Sequence, residues 1–258
     1  MIALVTGASG GIGLELARLF AADGHDLVLV SRGGQRLATI ARDLEERYRV
    51  EVRPISRDLA NPIAAISLFD ECGEVDFLVN NAGFGHRGAF AEEDPVMVSE
   101  MLQVNVAAVT QLTRMFLPSM VERGSGRILN VASIAAFQPG PLMAVYYATK
   151  AYVLSFTEAL GEELVGTGVT ATALCPGVVP SGFQDVAGLD EDLPFMRSPG
   201  TKSAEEVAEA GYRAMMSGRR VLIPGGLNKV GAHAARIAPR RAVLTMVRRI
   251  HPPDKNPG

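Results

Sequence analysis

The 258-residue chain is expected to fold as α/β, with one doubly wound parallel sheet of seven strands and helices on both faces. Three observations predict it. Short Val/Leu/Ile-rich runs recur along the whole chain, and they are continuous rather than alternating, as strands buried on both faces must be. Segments with helical spacing separate them. The first run leads directly into Thr6-Gly7-x-x-x-Gly11-x-Gly13, a glycine turn that can open a helix.

Ile2–Thr6 reads as the first strand, and Leu14, Ala17, Arg18 and Phe20-Ala21 follow the glycines at helical spacing. Asp26–Val30, Val50–Ile55 and Val75–Asn80 read as the next three strands. A long helical stretch from Val96 to Val121 precedes a fifth strand at Gly126–Val131, and Val145–Val165 precedes a sixth at Val169–Leu174. Arg219–Ile223 is the seventh. Repeated strand-helix units of this kind make one Rossmann-type domain over residues 1–227, with residues 228–258 appended as a basic helical tail.

Hydrophobic residues make up 48% of the chain and charged residues 21%, ordinary for a globular protein, so size does not limit the core. The net charge of −3 hides an asymmetry: from Asn228 onward seven bases face Asp254 alone, a net +6, which leaves −9 on the body. An acidic body argues against a nucleic-acid enzyme. The opening apolar run ends in glycines without a basic leader, and other apolar runs fall short of the ~20 residues of a spanning helix. A cytoplasmic protein is expected. Cys72 and Cys175 have no paired spacing and read as small core residues in a reducing compartment.

The glycine turn allows backbone N–H groups to approach a diphosphate at the positive end of a helix. No Gly-Lys-Ser/Thr follows, so a P-loop hydrolase is not supported. Further along stand Asn80-Asn81-Ala82-Gly83, Ser133 and Tyr146-x-x-x-Lys150. Together with a dinucleotide turn, a tyrosine one helical turn before a lysine points to hydride transfer from a nicotinamide with tyrosine as proton donor. The ammonium is expected to favour the phenolate and lower the phenol pKa from about 10. Tyr147 does not share that face and reads as packing near the substrate, while Thr149 and Ser155 read as ordinary helix residues. His25 and His86 lack metal-ligand spacing and read as surface histidines, and no metal is expected.

These motifs, in this order, resemble the short-chain dehydrogenase/reductase family in its compact single-domain branch, over Ile2 to about Ile223. The resemblance implies a catalytic set of Asn105, Ser133, Tyr146 and Lys150, with Ser133 holding the substrate oxygen and Asn105 holding a water that relays protons from the lysine. It implies nucleotide contacts from Gly7, Ser9, Gly11, Ile12 and Gly13, from Asp58 and Leu59, and from Asn81, Ala82 and Gly83. Tyr146, Lys150, Pro176, Gly177, Val179 and Ser181 complete them, Ser181 standing where relatives often carry threonine. After the second strand the chain has Ser31-Arg32, with Arg36 one turn on, where an NAD site would place an acid. NADP(H) is therefore favoured, with NAD(H) possible; Gly10, where many NADP-using relatives carry a base, argues the other way.

The expected function is reversible reduction of a ketone or aldehyde to an alcohol. The alternatives are an NAD-dependent alcohol or hydroxysteroid dehydrogenase working oxidatively, and a non-catalytic cofactor sensor or scaffold. Residues 178–203 occupy the family's substrate-lid position, and Phe84, Phe137, Leu142, Met143, Tyr147, Phe183 and Phe195 would form an apolar pocket if they converge. The resemblance further implies a homodimer or homotetramer. In the tail, Val243, Met246, Val247 and Ile250 make an apolar stripe, preceded by the bases Lys229, His233, Arg236 and Arg240. Packing on the domain or a partner is the preferred reading of that tail, with peripheral membrane contact as the second.

Overall fold

In the computed structural model, described over residues 1–180, 182–188 and 201–250, seven strands form one sheet in the order β3-β2-β1-β4-β5-β6-β7. They are β1 (Ile2–Thr6), β2 (Asp26–Ser31), β3 (Val52–Ser56), β4 (Phe77–Asn80), β5 (Gly126–Val131), β6 (Val169–Leu174) and β7 (Val221–Leu222). Every pairing is parallel, so each connection crosses over the sheet through helices. The helices are α1 (Gly11–Ala22), α2 (Gly34–Tyr48), α3 (Ala64–Cys72), α4 (Pro95–Leu102), α5 (Val109–Glu122), α6 (Ala144–Glu163), α7 (Phe183–Ala187), α8 (Ala204–Met216), α9 (Gly226–Ile237) and α10 (Arg240–Ile250).

The two-residue period of the strands divides the core into two layers. Ala3 and Val5 of β1 face Leu16 and Phe20 of α1, Leu37 of α2 and Met215 of α8, while Leu4 faces Leu68 of α3, Phe116 of α5 and Leu160 of α6. Both sides of the sheet are thus dry, which is why the strands read as unbroken apolar runs.

Strand bounds differ from the sequence reading for local reasons. Pairing of β3 starts at Leu27↔Val52, two residues after Val50. At β4 the Asp76 carboxylate accepts the Ile2 N–H (2.7 Å), so the ladder proper begins at Phe77. β7 is shortened to two residues on the sheet edge, with Pro224 soon after. The stretch expected as one helix from Val96 to Val121 contains a π-helical segment, Gln103–Ala108, between α4 and α5. His25, expected at the surface, is buried between Phe20 and Phe77 at centroid distances of 6.0 and 4.9 Å, and burial lowers its pKa.

α9 packs Ala232 against Ala132, Phe137 and Cys175. Arg236 lies over the Phe137 ring at 5.1 Å and pairs with Glu158. In α10 Val243 and Val247 are buried but Met246 is exposed, so only part of the expected tail stripe faces inward.

Candidate active site

Between β1 and β4 the strand order reverses, and the carboxyl ends of the strands diverge there. A cavity of about 770 Å³ occupies that edge of the sheet. Gly7 leaves β1 in the left-handed region (φ 67°), and a Cβ there would come within 3.0 Å of the Ala82 backbone. α1 then begins without a side-chain cap or an acid in its first turn, so its first N–H groups are directed to the cavity lined by Gly10, Gly11 and Ile12. Gly13 stands behind this surface, where a Cβ would strike the Gly7 carbonyl and the Asn81 carboxamide.

The second wall follows β4. The Thr6 hydroxyl accepts the N–H groups of Asn81 and Ala82, both at 3.0 Å, and Asn81 Nδ2 donates to the Thr6 and Gly7 carbonyls at 3.0 and 3.2 Å. Asn81 is therefore the strut that holds the glycine turn to the β4 loop. Asn80 is buried and donates to Thr113 and Asn130 behind it.

Ser133 follows β5, and Tyr146 and Lys150 lie on one face of α6. The Ser133 and Tyr146 hydroxyls share a hydrogen bond. Lys150 Nζ donates to the Val131 carbonyl at 2.9 Å and lies 5.8 Å from the Tyr146 ring centroid. Burial pushes the Tyr146 phenol up to about 12, against a smaller lowering by Ser133, and burial pushes the Lys150 ammonium down to about 8. The expected depression of the phenol by the lysine is thus not what this arrangement produces: Nζ is engaged by a carbonyl, and desolvation dominates both groups.

Asn105 is buried in the π-helical segment and does not line the cavity. Its Nδ2 donates to the Phe84 carbonyl (2.8 Å) and to Thr149 Oγ1 (3.1 Å), and its Oδ1 accepts the Phe84 N–H (3.0 Å). Thr149 in turn donates to the Tyr146 carbonyl at 2.7 Å, so it is a link between helices rather than an ordinary helix residue. A Cβ on Gly83 would lie 3.0 Å from Asn105 Oδ1 and 3.3 Å from Lys150 Nζ, which shows how closely this glycine is flanked.

At the far end Ser31, Arg32 and Arg36 line the cavity with Asp58 and Leu59. The Ser31 hydroxyl is buried without a hydrogen-bond partner. Arg57, which the sequence reading passed over, also lines this end while pairing with Glu71 at 2.6 Å. Its position next to Asp58 was the available signal.

Of the other expected residues, Ser9, Ala82, Gly83, Pro176, Gly177 and Val179 line the cavity, and Ser181 and Phe195 lie outside the described residues. The apolar wall consists in part of Phe84, Met143, Tyr147 and Phe183. Phe137 is instead packed under α9, and Leu142, in the left-handed region (φ 63°), gives its carbonyl to Gly88 N–H without lining the cavity. Gln138, also on the wall, hydrogen-bonds Tyr147. His86 lies off the cavity, with Nδ1 3.5 Å from Glu93.

A dinucleotide fits these residues. The glycine cradle would be filled by any Cβ, the end of α1 offers uncapped N–H groups, and the orphaned Ser31 hydroxyl stands among guanidiniums.

The short chain dehydrogenase family model matches residues 1–192. The ketoacyl reductase HetN of Nostoc sp. is 35% identical over 216 residues, covering 82% of this chain and 74% of that protein. A short-chain dehydrogenase from Sphingobium yanoikuyae, solved in complex with NADPH, superposes with a TM-score of 0.82 at 30% identity, over 95% of each chain. A short-chain dehydrogenase/reductase from Burkholderia phymatum, solved with NAD, superposes with a TM-score of 0.80 at 28% identity, over 90% of this chain and 91% of that one.

Proposed function

The chain belongs to the short-chain dehydrogenase/reductase family of oxidoreductases, and on that premise we propose that it reduces a ketone or aldehyde carbonyl with NADPH, Tyr146 giving the proton. The observation that carries this reading is the Ser133-Tyr146 hydroxyl pair at the wall of a cavity whose opposite end holds Arg32, Arg36 and Arg57. The nicotinamide, when bound, supplies the hydride that the carbonyl carbon receives. A carbonyl oxygen bound beside this pair would take its hydrogen bonds from the Tyr146 and Ser133 hydroxyls in place of the one they share, so the negative charge that develops there would be met by preorganised donors.

A buried phenol raised above its ordinary value keeps its proton at neutral pH, which suits donation to an oxygen. Lys150 spans the Val131 carbonyl and the Gly83 region, where it would hold the ribose hydroxyls. Asn105 is a positioning residue: it fixes Phe84 and Thr149, hence the loop and helix that carry the site.

Preference for NADPH rests on the Ser31 hydroxyl and the adjacent guanidiniums, which match a 2′-phosphate, with no acid at the end of β2 to take a 2′-hydroxyl. Phe84, Met143, Tyr147 and Phe183 fit a substrate with an apolar body, and the likeness to a ketoacyl reductase makes acyl ketones the first class to try. Calorimetric titration with NADPH and NADH tests the cofactor assignment. Tighter binding of NADPH supports it, and equal or weaker binding than NADH overturns it.

A further inference from the structure

α9 is amphipathic with its apolar side turned outward. Ala232 faces the protein and Arg236 is held by Phe137 and Glu158. On the opposite side Leu227, Val230, Ala234 and Ile237 follow one another at spacings of three and four, a single stripe along the helix. All four are exposed, Leu227 at 64%, Val230 at 68% and Ile237 at 86%. Helices that only cover a core place such a stripe inward.

The bases of this region lie on the same helix and on the one that follows it. Lys229 and His233 lie on the flank between the outer stripe and the packed face, and Arg240, Arg241, Arg248 and Arg249 follow in α10. Among the described residues, Lys229 and these four arginines are exposed and form no ion pair with a carboxylate. A chain carrying −9 before Asn228 and +6 from there on therefore places unpaired positive charge on the two helices that follow β7, the first of which bears the exposed apolar stripe.

We propose that the outer face of α9 docks on an anionic lipid bilayer, its aliphatic side chains entering the interface and the neighbouring lysine and arginines meeting the headgroups. An exposed aliphatic stripe on a helix that carries Lys229 and leads into an arginine-rich helix is complementary to a surface that offers anionic groups above hydrocarbon. No helix among the described residues is long and apolar enough to cross a membrane, so the contact is interfacial. A second copy of the chain is the weaker occupant: the stripe exposes roughly 400 Å² of apolar side chain, about half of what each partner in a stable dimer buries.

The docking helix adjoins the cavity. Its Asn228 packs on Gly177, where a Cβ would meet Nδ2 at 2.5 Å, and α9 covers the short helix Ile134–Phe137 that follows Ser133. Docking does not depend on the reductase reading.

The test is flotation of the full chain with vesicles of phosphatidylcholine alone or mixed with phosphatidylglycerol, at low and high salt. Wild type is expected to float with the anionic vesicles, less with neutral ones and less at high salt. The variant Val230→Glu/Ile237→Glu alters two exposed side chains and is expected to keep its melting temperature and NADPH affinity while losing vesicle binding by about tenfold or more. Wild type that stays with the unbound fraction, or a variant that binds equally well, overturns the proposal. So does a stripe that proves to be a subunit contact, seen by light scattering as a dimer that the variant splits without any vesicle binding. Unchanged NADPH affinity in every arm separates failure of docking from failure of the cofactor assignment.

Discussion

Replacing Asn105 with alanine separates a structural role from a proton-relay role. The carboxamide makes three hydrogen bonds, two of them with the Phe84 backbone and one with Thr149, from a position that is 1% exposed. Truncation leaves the Phe84 N–H and carbonyl without their partner in a partly closed loop. A buried group left unpaired costs about 1 to 3 kcal/mol, so the two together, softened by any water that enters, come to about 3 kcal/mol. Urea unfolding of wild type and Asn105→Ala, read as a shift in midpoint at constant slope, measures this loss. Nucleotide affinity should fall with it, because Phe84 and Gly83 wall the cavity. A destabilisation below about 0.5 kcal/mol, with turnover abolished, would show that Asn105 serves the chemistry and not the scaffold.

Arg32→Asp should weaken NADPH by about ten- to a hundredfold, the worth of a charge-assisted contact to phosphate, while leaving NADH unharmed; parallel loss of both nucleotides would sink the 2′-phosphate assignment. Gly13→Ala should destabilise by about 1 to 3 kcal/mol in thermal unfolding and abolish nucleotide binding, since its Cβ meets the Gly7 carbonyl and the Asn81 carboxamide. Lys150 binds its proton less tightly in the folded protein (about 8) than in the unfolded chain (10.5). Its contribution to stability is therefore lowest below pH 8 and rises as pH climbs towards 10.5, by up to about 3 kcal/mol. Lys150→Met should remove that slope from the difference between unfolding at pH 7.5 and at about pH 10, and an unchanged slope would contradict it.

Much of this was legible because the signals are local. A strand buried on both faces must be apolar throughout, and a turn that brings backbone against a diphosphate must be glycine; Ile2 to Gly13 states both. Tyr146 was separable from Tyr147 because a four-residue spacing fixes one helix face. What stayed hidden depends on long-range contacts. Helical spacing runs unchanged through Gln103–Ala108, so the π segment that presents Asn105 to Phe84 left no mark in the pattern. The lysine's choice of the Val131 carbonyl depends on how α6 lies along β5, 19 residues earlier in the chain. Periodicity reveals that α9 has an apolar side, yet it does not say which side meets the protein: the expected stripe of Val243, Met246, Val247 and Ile250 lies in α10, while Leu227, Val230 and Ile237 of α9 stand exposed. Phe137 was expected in an apolar pocket only if the aromatics converged, and apolarity alone does not show that α9 covers it.

Carbonyl reduction by Tyr146 is tested by following NADPH oxidation by absorbance with a panel of acyl ketones and other carbonyl compounds, wild type beside Tyr146→Phe. Wild type is expected to consume NADPH with at least one ketone or aldehyde, and Tyr146→Phe to bind NADPH as tightly but turn over slower by about a hundredfold or more. Turnover that survives the loss of the phenol, or NADPH bound without consumption across the whole panel, would contradict this expectation.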